Sequence, residues 1–127
     1  MQDKVTYEYA VIRLVPKVER EEFLNIGLIL FSKRKKYLGI KYRLDAERVK
    51  ALAPDTDIEM VRKYLEAWEK VCKGAPLGGP IGMQELPFRF RWLVAPRSTI
   101  IQSSRPHPGL CTDPARVLEE LFERYVM

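Results

Sequence analysis

Two short runs constrain this chain more than anything else in it. Residues 5–15 read VTYEYAVIRLV and residues 26–31 read IGLILF, both rich in the β-branched and aromatic side chains that suit a pleated strand. Successive strand side chains point to opposite faces, so Tyr7, Tyr9 and Val11 share one side of the first run and Ala10, Ile12 and Leu14 the other. Both sides are apolar in its second half, which marks a strand buried on two faces. Arg13 is the anomaly there: an arginine in such a strand must find a partner or reach solvent at the strand end.

The rest of the chain reads as the cover and edges of that sheet. Glu19, Glu21 and Glu22 surround Arg20 in a connector that fits a short helical turn or an extended link, and Pro16 ends the first strand. Asn25 leads into the second strand, where Gly27 suits a bulge or a close backbone approach. A hairpin loop carrying Lys33, Arg34, Lys35 and Lys36 follows. The return strand, residues 37–44, then places Leu38, Ile40, Tyr42 and Leu44 inward and Gly39, Lys41 and Arg43 outward.

Asp45 can cap a short helix through Leu52 before Pro54. Thr56 and Glu59 have capping-box spacing ahead of a longer helix with Val61, Tyr64, Leu65, Trp68 and Cys72 on one face and Gly74 after its last turn. Residues 76–82, PLGGPIG, read as a flexible loop. Phe88, Phe90 and Trp92 alternate with arginines, which fits a strand with all three rings on one face toward the core, although the same residues could lie on a short helix before Pro96. Residues 99–103 read as a strand. Asp113 and Pro114 open a last helix with Val117, Leu118, Leu121, Phe122 and Tyr125 as its apolar stripe.

The sum is an α+β fold, an antiparallel or mixed sheet of four to five strands packed against two main helices. A length of 127 residues implies a single domain, residues 1–127, and 46% hydrophobic with 31% charged residues is globular composition. No apolar run approaches the roughly 20 residues of a bilayer span. The start, MQDKVTYEYA, lacks the basic-then-apolar profile of a secretory signal, so a cytoplasmic protein without a membrane partner is expected. Cys72 and Cys111 form no CxxC pair and are expected to be reduced.

Candidate function concentrates in residues 88–114, which hold Arg89, Arg91, Arg97 and Arg105 and no acid before Asp113. Arg97 beside Ser98 and Thr99 can cradle a phosphate or carboxylate through a planar fork of donors. The same three residues can instead satisfy carbonyls, or an internal carboxylate such as Glu22, around the turn after Pro96. His107, the single histidine, sits between two prolines and can be presented for proton transfer or simply packed. His107 and Cys111 would need Cys72 and Asp113 to complete a metal site, and that spacing matches no zinc pattern, so no metal and no cofactor are expected. The net charge of +5 favours an anionic partner. Lys33, Arg34, Lys35 and Lys36 can follow a nucleic-acid backbone, or form a solvated hairpin tip.

The ordered set YEYAVIRLVP, EEFLNIGLIL, FRWLVAPRSTIIQSS, HPGLCTDP and LEELFERYV resembles, over nearly the full length, a bacterial family of unknown function, domain family 3037. The resemblance implies no activity, cofactor or catalytic residue. It does suggest a gene neighbour similar to the HipA-like kinases, hence a protein partner of that kind. The expected function is a small non-enzymatic binding or regulatory module. Its face would combine Arg13, Arg97, Ser98, Gln102 and His107 around an anionic ligand or an acidic patch on a partner. Two alternatives stand beside it: an enzyme on phosphate esters or nucleotides, with Arg97 holding the anion and His107 moving a proton, and a nucleic-acid-binding protein using the basic hairpin.

Overall fold

The computed structural model describes residues 3–127. Strand β1 (Val5–Leu14) is its spine, flanked by β2 (Leu24–Ser32) on one side and by β4 (Ile101–Ser103) and β5 (His107–Cys111) on the other. Strand β3 (Tyr37–Tyr42) lies outside β2, and every pairing is antiparallel. The helices are α1 (Ala46–Leu52), α2 (Ile58–Lys73), α3 (Gly79–Gly82), α4 (Leu86–Val94) and α5 (Pro114–Tyr125). The architecture is therefore α+β, with a five-stranded antiparallel sheet.

The two-sided strands are buried on two sides. Ala10, Ile12, Leu14, Ile26, Ile29 and Phe31 pack with Val61, Leu65 and Trp68 of α2 and Phe90 and Leu93 of α4. Across the sheet, Val11, Leu28 and Leu30 pack with Leu118, Leu121 and Phe122 of α5 and with Val126. Each fully buried aliphatic side chain here contributes roughly 1.5–3 kcal/mol of transfer free energy, so both layers are needed. Gly27 sits at the register shift between β1 and β2, and a Cβ there would lie 2.9 Å from the Lys41 carbonyl and 3.2 Å from Ile12. Only glycine allows strands β1, β2 and β3 to meet so closely at that point.

Caps fix the helix starts. Asp45 accepts from the Glu47 and Arg48 amides at α1, and Asp113 from the Arg116 amide at α5, as the sequence implies. At α2 the cap is Asp57, which accepts from Met60 N at 3.1 Å, and Thr56 instead closes the preceding turn through its amide to the Ala53 carbonyl. The capping-box register is thus off by one residue; the aspartate carboxylate takes the cap as the stronger acceptor.

Three other segments differ from expectation. Residues 76–82 contain the single turn α3 instead of only a flexible loop, because Ile81 reaches the core and the Gly78 amide bonds the Gly74 carbonyl. The FRFRW run is helical and not the strand its alternation suggests: α4 starts at Leu86–Pro87 and ends before Pro96. Its 3.6-residue period buries Phe90 while Phe88 and Trp92 stay exposed. Arg89 joins it to α2, donating to the Val71 and Cys72 carbonyls at 2.8 and 2.9 Å and so satisfying the end of that helix. Finally, the RPHPG segment is largely strand, since Pro108 lies on an outer edge where a missing amide costs no ladder bond.

β4 and β5 are two halves of one edge, separated by a bulge. Between the pairs Ile12–Ser103 and Tyr9–His107, residues 10–11 of β1 face residues 104–106, one residue too many. Ser104 repairs the gap. Its amide donates to the Val11 carbonyl at 2.8 Å, and its buried hydroxyl accepts from the Val11 amide at 2.9 Å, standing in for the carbonyl that the bulge has displaced. Ser104→Ala leaves the Val11 amide buried without an acceptor, and is expected to cost about 1–3 kcal/mol, read as a lower urea midpoint at unchanged slope.

Candidate functional site

α5 lies over β2 and β3 and reaches β1 at Val11; on the same face it leaves β4, β5 and the flanking β1 residues Tyr7, Tyr9 and Arg13 only partly covered. Sequence periodicity decides what is displayed there. The odd-numbered residues of β1 point to that side, so Tyr7, Tyr9 and Arg13 line it, joined by their antiparallel register partners Gly109, His107 and Gln102. Tyr125, at the end of α5, forms a wall.

The upper part of the face is an aromatic platform. Tyr9 lies 5.3 Å from His107 and 6.0 Å from Tyr125, centroid to centroid, with Tyr7 at 6.3 Å on its other side. Tyr7 can lie flat across β5 because its partner is glycine: a Cβ at Gly109 would fall inside the van der Waals envelope of the phenol ring. Burial pushes the Tyr7 hydroxyl above its ordinary pKa. The hydrogen bond with Tyr125, then burial, pushes Tyr9 up to about 12, and that same bond lowers Tyr125. Tyr7 and Tyr9 are consequently neutral phenols across the physiological range and do not repel an anion.

The lower part is polar. Arg13 pairs in register with Gln102 on one side and Asn25 on the other, and its guanidinium stacks on the Phe23 ring at 4.2 Å. The Nδ2 amide of Asn25 donates to the Tyr125 carbonyl at 3.2 Å, which fixes the orientation of the side chain: turned over, it would set oxygen against oxygen. Two buried polar atoms remain without partners, the Arg13 Nε–H donor and the Asn25 Oδ1 acceptor. Polar groups so placed carry a desolvation cost of about 1–3 kcal/mol each unless something bonds them.

The structure divides the residues anticipated from sequence. Arg13, Gln102 and His107 share the open face, with Gln102 Nε2 bonded to the Thr99 carbonyl at 2.9 Å. Arg97 is on the other side of the sheet, against the helices: its guanidinium lies 5.3 Å from Trp68 and 4.9 Å from Trp92 and donates to the Trp92 carbonyl, and burial lowers its pKa. Ser98 is exposed in the adjoining loop. Glu22 bonds Arg20 at 2.5 Å and so meets neither arginine. The basic loop 33–36 is exposed, and Arg34 and Lys35 line a cleft of about 410 Å³ with Asp3, Val5 and Thr112, at the end of the open face opposite Arg13. A second cleft, of about 250 Å³, lies between the β1–β2 connector and residues 52–55.

Tyr7, Tyr9, Asn25 and Tyr125 were not singled out as site residues from the sequence. The signal was present in part: tyrosines, not aliphatics, on one face of a buried strand imply a side that reaches solvent. Among the described residues, no helix is long and apolar enough to cross a membrane, and no three His, Cys, Asp or Glu side chains gather as a metal site requires. Cys72 and Cys111 are free, and burial pushes the Cys72 thiol up to about 12.

This arrangement defines a class: an α+β domain whose antiparallel sheet is covered by helices on one face and by a single helix over half of the other. The chain belongs to the family described as Protein of unknown function (DUF3037), whose model matches residues 9–126. No curated protein and no solved structure matches it.

The orphaned Arg13 donor makes a stability test specific. Replacing Arg13 by methionine keeps the stem, removes the unpaired donor and loses the stacking on Phe23, worth about 0.5–1 kcal/mol. The urea midpoint of R13M is expected to match or exceed that of the parent, or to fall by no more than about 1 kcal/mol in stability. A loss of several kcal/mol would show Arg13 to be a structural residue.

Proposed function

We propose that the domain is a non-catalytic binding module that takes a phosphorylated, anionic ligand on the open half of its sheet. The observation that carries this reading is the pair of buried, unpartnered atoms on residues paired across β1 and β2, Arg13 Nε and Asn25 Oδ1. A ligand offering one acceptor and one donor satisfies both at once and offsets their desolvation. The guanidinium supplies charge for a phosphate, and the Tyr9–His107 pair, two same-face positions along β1 beyond the covered Val11, supplies aromatic surface at the sheet edge. Gln102, in register with Arg13, adds an amide beside the anion.

A titration with thymidine monophosphate followed by nitrogen–proton NMR tests it. The Arg13 Nε–H and Asn25 amide resonances are expected to move with ligand and to saturate together, and R13M is expected to abolish the response. Shifts confined to α2 and α4, or no shifts, would sink the reading.

A second reading is favoured by a separate observation. Phe88 and Trp92 are exposed on α4, 51% and 36%, beside Arg97, which has no carboxylate partner among the described residues. Such a patch suits a protein partner presenting an apolar side chain next to an acid. The double variant Phe88→Ser, Trp92→Ser is expected to lose a stoichiometric partner on co-purification from the native host while keeping the thymidine monophosphate shifts; retention of that partner by the variant would remove the second reading.

A further inference from the structure

We infer that the exposed patch of α4 continues across to α2 and seats an acidic amphipathic helix of a partner protein. This rests on the second reading above and names the partner's chemistry. Helical periodicity joins the two elements. Met60, Tyr64, Ala67 and Val71 follow one another at steps of four, three and four, so they share one side of α2. That side looks toward α4, because the Val71 carbonyl accepts from Arg89, while Glu69, on the opposite side, bonds Tyr42 of β3. Met60, Tyr64 and Ala67 are exposed there.

α2 and α4 run antiparallel along this seam. Arg89, near the start of α4, meets Val71 and Cys72 at the end of α2. One turn further on, Trp92 stands across from Trp68, with the Arg97 guanidinium 4.9 Å from the first ring and 5.3 Å from the second. The exposed row therefore runs from Phe88 through Trp92 and Arg97 to Tyr64 and Met60. Phe88 to Trp92 is about 6 Å of helix and Trp68 to Met60 about 12 Å, so the row is about 18 Å long, the length of roughly 12 helical residues. Tyrosine, tryptophan and arginine are also the side chains that carry most of the energy of protein interfaces.

Charge decides the occupant. Arg97 donates only to the Trp92 carbonyl, and neither it nor the exposed Lys63 beside Tyr64 has a carboxylate partner among the described residues. The other charges are spent or distant: Arg91 pairs with Glu8, Glu59 with Arg62, and Glu85 stands at the start of α4, at the Phe88 end of the row. A second copy of the chain is disfavoured, since pairing the patch with itself brings two cationic surfaces together. A helix with apolar residues at i, i+4 and i+7 and carboxylates flanking them meets both the aromatic row and its cations.

Nitrogen–proton NMR titrations of the full chain test this with capped alanine- and glutamine-based peptides about 14 residues long, carrying leucines at i, i+4 and i+7. One peptide has two glutamates beside the leucines, its twin two lysines, and a third keeps the glutamates with serine in place of leucine. The Trp92 indole N–H and Arg97 Nε–H resonances are expected to move and saturate with the glutamate peptide, which should bind at least five-fold tighter than its lysine twin at low salt. The serine version should show no saturable shifts. Arg97→Met should reduce the preference for glutamate to less than two-fold. Lys63→Glu, at an exposed position, should at least halve it and keeps the test decisive if Arg97→Met fails to fold. If the glutamate and lysine peptides bind alike, recognition of an acid is overturned and the patch of the second reading stands. If no peptide binds, or the shifts fall on β1 and β5, the helix seat is overturned, and the co-purification of the Phe88→Ser, Trp92→Ser variant alone decides the second reading.

Discussion

The burial of β1 and β2 on both faces is the constraint from which the remaining architecture follows. A helix with its side chains is about 10 Å across and strands are spaced about 4.8 Å apart, so one helix covers about two strands. The sheet is four strand positions wide, in the order β3-β2-β1 with β4 and β5 sharing the last. On the face bearing Ala10, Ile12 and Leu14, α2 and α4 together close the layer. On the other face there is only α5. Seated over β2 and β3, where Leu28 and Leu30 demand it, α5 reaches β1 at Val11 and leaves β4 and β5 beyond it uncovered on that face.

The open half is therefore a consequence of helix count, and its residues are of the kind such a surface tolerates. Tyrosine places an apolar ring on the sheet and a hydroxyl in water, so Tyr7 and Tyr9 continue the β1 pattern without leaving a bare aliphatic patch. The edge beside them is protected too. Pro106, Pro108 and the bulge at Ser104 interrupt the row of free amides that would otherwise invite another strand. What recommends this face for binding, beyond being open, is that it pays in stability for polar atoms at Arg13 and Asn25 that a purely structural surface would replace with apolar ones.

Sequence periodicity reaches the central strands, the hairpin, the inward set Leu38, Ile40 and Tyr42, and the stripe of α5, because each of these is set by alternation or by a 3.6-residue repeat against a core. It fails where tertiary pairing overrides local signals. The prolines flanking His107 read as a loop, and become an edge strand once β1 supplies a partner on one side only. Phe88, Phe90 and Trp92 follow a two-residue period, yet the helix wins, burying Phe90 alone of the three, and Arg89 between them satisfies the end of α2 from it. The site was half legible. Arg13 stood out as a charge in an apolar strand, whereas its neighbours depend on register across three strands, which no local window contains.

The separation of Arg13 from Arg97 follows from the same parity. Arg13 is odd-numbered on β1 and faces the α5 side; Arg97 precedes β4 in a loop that must descend from α4, on the other side, and it stays there between two indoles. For Arg97 to cross to the open face, the loop would have to give up the Trp68 and Trp92 contacts and the bond to the Trp92 carbonyl, exposing a buried tryptophan. A cation held that way braces α2 against α4, whereas the Arg13 guanidinium stacks on a single exposed phenylalanine with its Nε donor unpartnered. The two arginines differ in surroundings because the sheet lies between them.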